Sequence, residues 1–175
     1  MSLDGFVADE KGSVAQLYSD LAALQGSDYM NSIIEETGAV LMGRRTFEMG
    51  DPDSFVGSYE FQVPIFVLTR NPPRVHPKQD EHLTFTFVGD GVDSALAQAK
   101  AAAGSKAVQV VGGPGLIQRL LFDGHVDELR VDVMPVLLGA GARLFVDADL
   151  AAVRLEKTGV QEIGARTSLQ FRVGR

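Results

Sequence analysis

The stretch Val108–Leu121, VQVVGGPGLIQRLL, decides how this chain folds. Val108, Val110 and Val111 are β-branched and suit a buried strand, because such side chains pack well on a pleated surface. Leu116, Ile117, Leu120 and Leu121 then return at helical spacing. Pro114 fits the first turn of that helix, where no backbone donor is needed. A strand therefore passes into a helix through Gly112, Gly113 and Gly115, with backbone N–H groups facing outward and no side chains in the way. That geometry admits a phosphate. It also serves as a tight turn with no ligand, and the stretch alone leaves both readings open.

Outward from there, the same alternation continues. Toward the N-terminus, Asp93 reads as the cap of an alanine-rich helix, SALAQAKAAA, which Gly104 closes. LTFTFV (Leu83–Val88), PIFVL (Pro64–Leu68) and AVLM (Ala39–Met42) read as strands, and DPDSFVGSYEFQ as a loop. A helix capped by Ser27 buries Met30, Ile33 and Ile34 and stops at Gly38. Ser13 with Gln16 reads as a capping box opening a short helix with Val14, Leu17, Leu21 and Leu24 on one face. Toward the C-terminus, DELRVDVMPVLL is a strand beginning near Asp127, and GAGARLF is a glycine loop. VRLEKTGVQEIG and ARTSLQFRVGR form an antiparallel hairpin. The expected fold is α/β, with one mainly parallel sheet and antiparallel strands at one end.

Bulk properties narrow the function. With 175 residues and 45% hydrophobic content, the chain suits one soluble domain with a proper core. No apolar run is long enough to cross a membrane, and no secretion signal opens the chain, so a cytoplasmic protein is expected. Cysteine is absent, which excludes disulfides and thiolate chemistry. The net charge of −7 argues against a nucleic-acid partner, whose phosphates need a basic field. His76, His82 and His125 are scattered and expected to be exposed, and no pair has metal-ligand spacing, so no metal is assigned. Met42, Phe47 and Met49 are expected in or near the core.

One design recurs at three strand ends. AVLM ends in Gly43-Arg44-Arg45-Thr46 and opens a helix, PIFVL ends in Thr69-Arg70, and VQVV ends in the glycine turn. Ligands of open α/β sheets sit outside the carboxyl ends of the strands. Glycine, hydroxyl and guanidinium groups gathered there suit one extended polyanion. Helix N-termini and Thr46 would hold a pyrophosphate, and arginines would bind a further phosphate by forked hydrogen bonds. Neither a P-loop motif nor G-x-G-x-x-G is present.

MSLDGFVAD, VLMGRRTFE, FVLTRNP, VVGGPGLIQRLL and VDVMPVLLGAGARLF occur in the order seen in the dihydrofolate-reductase-like superfamily. The chain most resembles the branch that contains the C-terminal reductase domain of the riboflavin-biosynthesis deaminase-reductase. The resemblance covers nearly the whole chain. It implies a three-layer α/β/α reductase, often a homodimer, with NADPH as cofactor and a small-molecule substrate. The implied reaction is reduction of 5-amino-6-(5-phosphoribosylamino)uracil, converting its ribosyl group to ribityl. Reduction of dihydrofolate or another pterin is the rival reaction, and an NADPH-binding protein without catalysis is the rival class.

Carried over by the resemblance, Gly112, Gly113, Gly115 and Leu116 lie along the pyrophosphate and nicotinamide side. Gly43, Arg44, Arg45 and Thr46 match the second phosphate loop. Leu68, Thr69 and Arg70 match the loop at the adenosine ribose, and Val7 and Ala8 the loop that holds the carboxamide. The resemblance also implies a cis peptide between Gly112 and Gly113, an arrangement that survives only where its surroundings enforce it. Three acidic residues are catalytic candidates. Asp28 lies close to the place of the acidic residue that folate reductases use to bind the pteridine, or simply favours the positive helix end. Asp132 interrupts a strand expected to be central and matches a position bordering the substrate pocket, or pairs with Arg130 on the same face. Asp4 matches an acidic position near the active site, or bonds its own turn. Pro135, Gly139 and Gly141 shape a loop.

The resemblance places an apolar strand ahead of MSLDGF in the middle of the sheet. This chain starts at that motif, so most of the strand is expected to be missing and its neighbours to show unpaired edges. Tryptophan is absent, where folate reductases usually place one near the substrate, and a deaminase half is not expected.

Overall fold

Ala39, Val40, Leu41 and Met42 form an unbroken apolar run, which suits a strand covered on both faces. They lie in β2 (Thr37–Gly43), and none is more than 1% exposed. The computed structural model describes residues 1–146 and 152–174. In it β2 sits between β3 (Ile65–Leu68) and β5 (Ala107–Val111), and β4 (Phe85–Val88) lies beyond β3. All neighbouring strands of this sheet are parallel. Helix α5 (Val92–Ala103) packs on β2 and β3 and buries Ala95, Leu96, Ala99 and Ala103. Its small side chains let backbones come close: a Cβ on Gly38 would lie 2.6 Å from the Ala103 carbonyl oxygen. Phe47, at the end of α3 (Arg44–Phe47), meets Phe85 and Phe87 edge-on with centroids 5.5 and 5.4 Å away. These elements belong to a compact unit of residues 31–116.

The second unit comprises Met1–Met30 and Ile117–Arg175. Its main sheet is antiparallel, with β9 (Arg166–Gly174) between β6 (Glu128–Val133) and β8 (Arg154–Ile163). The alternation of ELRVDV assigns its two faces. Leu129 and Val131 point into a core with Leu144, joined by Val7, Ile117, Val133, Phe171 and Val173. Arg130 and Asp132 point the other way, across the register from Gln170 and Ser168. A short ladder joins β1 (Phe6–Ala8) to β7 (Ala142–Arg143). The loop before β7 lies so close to β1 that a Cβ on Gly141 would fall 2.1 Å from the Ala8 carbonyl oxygen.

The α/β class and the C-terminal hairpin agree with expectation, although Arg175 lies outside the described residues. The expected single sheet is instead divided into the four-stranded parallel sheet, the three-stranded antiparallel sheet and the β1–β7 pair. Among the described residues, β5 is laddered only to β2, and β6 to β9, with an isolated parallel bridge from Ser2 to Met134.

Local readings also change. The capping-box segment forms a 3-10 turn, Ala15–Tyr18, and a separate α1 (Leu21–Leu24). Asp20 stands at the break without capping α1, because its carboxylate goes to Arg166. Ser27 does serve α2 (Asp28–Glu36), accepting the Met30 N–H at 3.2 Å. Gly38 does not end that helix. The chain enters β2 at Thr37, whose hydroxyl donates to the Ile33 carbonyl at 2.7 Å and satisfies the helix end. The loop expected at Asp51–Gln62 contains a 3-10 turn and the short α4 (Phe55–Ser58). Asp93 lies inside the first turn of α5, not at its cap. Met49 is 57% exposed, because α3 ends before it. His125 is half-buried beneath the turn that follows α6 (Pro114–Phe122), where its N–H donates to the Leu120 carbonyl.

Candidate functional site

In the 31–116 unit, the carboxyl ends of the strands finish level. Gly43 of β2 is in register with Leu68 of β3, Leu68 with Val88 of β4, and Met42 with Val111 of β5. The residues that follow therefore share one rim: Arg44–Thr46, Thr69–Arg70 and Gly112–Gly113. Thr46 is the joint of this rim. Its hydroxyl oxygen accepts the Gly113 N–H at 3.1 Å, leaving its own proton to donate outward. Gly112 has φ +108, and a Cβ there would lie 1.9 Å from Thr46 Oγ1. Only glycine fits that position.

At Gly43, Gly113 and Gly115 an added Cβ would meet nothing within 4 Å, so the backbone faces open space there. The Leu116 N–H turns back to the Gly113 carbonyl at 3.2 Å. Arg45 and Arg70 are exposed, and Arg44 donates to Glu48 at 2.7 Å. Thr69 closes its own turn, with Oγ1 accepting the Asn71 N–H at 3.1 Å. The expected cis peptide at Gly112–Gly113 is absent: no described peptide is cis. Gly112 has a positive φ at this turn.

In the other unit, Asp132 is the centre of a buried polar network. Its Oδ1 accepts the Tyr29 hydroxyl at 2.7 Å, and its Oδ2 accepts from Arg166 Nη1 at 3.1 Å. Tyr29 accepts in turn from Ser168 Oγ at 2.9 Å. Arg166 is held on its other side by a two-point fork to Asp20, at 2.9 and 2.5 Å, and donates to the Leu17 carbonyl at 3.3 Å. The Arg166 side chain is 4% exposed and that of Asp132 25%. Burial pushes the Tyr29 phenol up to about 12, so it stays protonated as a donor. The Arg166 hydrogen bonds hold the Asp20 carboxyl below its usual range.

Sequence reasoning found Asp132 but missed Arg166, Asp20, Tyr29 and Ser168. The expected neighbour Arg130 instead meets Glu128 at 3.4 Å. Asp28 is exposed at the first position of α2, one residue from the buried Tyr29. Asp4 accepts the N–H groups of Leu138 and Gly139 at 3.2 and 2.8 Å. The Ser2 side chain together with those two N–H groups holds the Asp4 carboxyl down at about 2. Both N–H donors belong to a loop far along the chain, so Asp4 ties down that distant loop, where its own turn had been the expected partner. Val7 and Ala8 lie in β1, and Ala8 is opposite Ala142.

The family description of the RibD C-terminal domain matches residues 1–169. The chain belongs to this family. Among relatives of this RibD-type domain, the uncharacterized protein YwjB of Bacillus subtilis is 29% identical over 171 residues, covering 98% of this chain and 92% of YwjB. A protein of Shewanella sp. PV-4 assigned to riboflavin biosynthesis has a similar fold, with a TM-score of 0.76 at 22% identity, covering 100% of this chain and 96% of that one. The diaminohydroxyphosphoribosylaminopyrimidine deaminase/5-amino-6-(5-phosphoribosylamino)uracil reductase of Thermotoga maritima gives 0.70 at 15% identity, over 99% of this chain and 54% of that one. Dihydrofolate reductase of Enterococcus faecalis, solved with NADP(H), gives 0.59 at 19% identity, over 100% and 93%. The RibD-type chain thus has the fold of riboflavin-pathway and folate reductases.

Proposed function

We propose that this chain is an NADPH-dependent reductase of an aminopyrimidine or pterin-like small molecule, with chemistry of the kind named for the Thermotoga relative. The observation that carries the reading is the rim of the 31–116 unit, where Thr46, Arg70 and the Gly112–Gly113 turn follow three strands that end level. The rim fits the cofactor. Open glycine backbone at Gly43, Gly113 and Gly115, with the N-terminal end of α6, suits a pyrophosphate. Thr46 donates its remaining proton to the same group. Arg45 and Arg70 suit a further phosphate, and Arg70 would separate NADPH from NADH at the 2′ position. Leu68, Thr69 and Leu116 shape the rim between these groups, and Arg44 adds charge beside it.

When bound, NADPH supplies the hydride. In the other unit, Val7 and Ala8 offer β1 backbone to the carboxamide. Asp132, the half-open member of its network, is the acidic group best placed to accept a substrate N–H. Asp28 is exposed and able to reach a ligand, and Asp4 keeps its loop in place. The protein is expected to work in the cytoplasm as a homodimer.

Titration with NADPH and NADH, followed by nicotinamide fluorescence, tests the cofactor half. Saturable binding that favours NADPH supports the reading, and no saturable signal with either ends it. The second half is NADPH oxidation with 5-amino-6-(5-phosphoribosylamino)uracil against dihydrofolate. The folate reductase fold makes dihydrofolate the reading to exclude. Turnover of dihydrofolate alone, blocked by an antifolate, would move the assignment there, and binding without turnover on either would make the protein a nucleotide binder.

A further inference from the structure

We infer that Glu48 is a specificity-determining residue of the rim: its carboxylate offsets Arg44 and limits how much phosphate charge the rim accepts. The inference rests on the reductase reading and adds to it a residue that works against tight cofactor binding.

Three observations carry it. The rim arginines are not equivalent. Arg44 donates from Nε to Glu48 Oε1 at 2.7 Å, whereas Arg45 and Arg70 are exposed and make no ion pair among the described residues. Next, the pair stands in solvent, with side chains 48% and 49% exposed, where an ion pair adds little to stability. Its effect falls instead on whatever charge approaches Arg44. Last, the backbone keeps Glu48 at the rim. Its N–H donates to the Arg44 carbonyl at 3.0 Å, and the next N–H, of Met49, donates to the Thr46 carbonyl at 3.2 Å. Thr46 is the residue that holds the Gly113 N–H, so Glu48 shares one turn with the joint of the rim.

Charge does the selecting. The contact is to Nε, which leaves the Nη1 and Nη2 edge of Arg44 able to fork onto a phosphate. The carboxylate stays beside that phosphate and repels it, more strongly for a doubly charged monoester than for a singly charged diester. Arg45 and Arg70 attract both, and Glu48 most disfavours the ligand that carries the monoester. On the reductase reading that ligand is NADPH, with its 2′-phosphate, and NADH is the one without. Glu48 therefore caps cofactor affinity, which lets the oxidised cofactor leave after hydride transfer.

The experiment is fluorescence titration of the full chain with NADPH and NADH at about 0.02 M and about 0.5 M salt, which leave charges unscreened and screened in turn. The proteins are wild type, Glu48→Gln, Glu48→Ala and Glu156→Gln, each first checked for folding by circular dichroism. Glu156→Gln removes the same charge from a pair of the same kind, Glu156 with Arg172 at 2.8 Å in the other unit. At low salt, Glu48→Gln and Glu48→Ala should each bind NADPH about threefold tighter than wild type, and NADH with a smaller gain. The gain should vanish at high salt, and Glu156→Gln should match wild type.

Unchanged or weaker NADPH binding in folded Glu48→Gln, an equal gain for NADH, or an equal gain in Glu156→Gln would overturn the inference. So would a gain that survives high salt. Weaker binding in Glu48→Ala would show that Glu48 positions Arg44 for the ligand, which overturns it too. If Glu48→Ala does not fold, Glu48→Gln decides by itself. Wild type separates the two failures. Saturable NADPH binding without these gains overturns this inference alone, and absence of NADPH binding in every protein overturns the reductase reading beneath it.

Discussion

Arg70 follows β3 with its side chain exposed, and a 2′-phosphate on the adenosine ribose is the group that would single it out. Arg70→Ala should weaken NADPH about tenfold or more and leave NADH nearly unchanged, measured by fluorescence titration. Equal losses would remove that role. Gly112 makes a different claim. With φ +108 and Thr46 Oγ1 where its Cβ would go, Gly112→Ala forces the rim apart. The variant should be destabilised by about 1–3 kcal/mol and lose NADPH affinity, read by denaturant melts and titration. Asp20 gives a pH signature. Its carboxyl titrates below the usual range in the folded protein. Its contribution is therefore complete above the unfolded value of about 4 and is lost as pH falls through the lower folded value. Asp20→Asn should cost about 3 kcal/mol at neutral pH, and its stability should vary less with pH below about 4 than that of wild type.

Among the elements, Gly38 shows how packing decides what local pattern leaves open. Gly38→Ala puts a methyl group 2.6 Å from the Ala103 carbonyl oxygen and should cost about 1–3 kcal/mol in a chemical melt. A variant as stable as wild type would mean that α5 can shift away from β2. The sequence suggested a helix stop at this glycine, because glycine after an apolar helical face has that meaning far more often. The true reason lies on α5, far along the chain and out of reach of a local reading. Elements whose cause is local were legible. Ser27 caps the helix beside it, Pro114 begins α6, and the alternation of LRVDV and LQFRV marks β6 and β9 with their buried faces. The site divides the same way. Glycine, threonine and arginine after strands announced the rim, since each motif is contiguous. Arg166 was missed because its meaning depends on the register between β6 and β9 and on Asp20 from the opposite end of the chain.

For the molecule as a whole, NADPH should act as a stabiliser. A ligand that binds only the folded state adds about 2.7 kcal/mol at a hundred times its dissociation constant. Melting with NADPH should therefore occur several degrees higher than without it, and an unchanged midpoint at saturating NADPH would contradict binding to the folded protein. Residues 31–116 are one continuous segment, whereas the other unit is gathered from both sides of it. Asp20 meets Arg166 across a separation of 146 residues, so that meeting closes a long loop. A nascent chain leaving the ribosome can thus complete the parallel strands while the last hairpin is still unsynthesised, but Tyr29 and Asp20 must wait for the final stretch of translation. Pulse-labelled amide exchange on refolding chains should accordingly show β2, β3 and β5 protected earlier than β6 and β9.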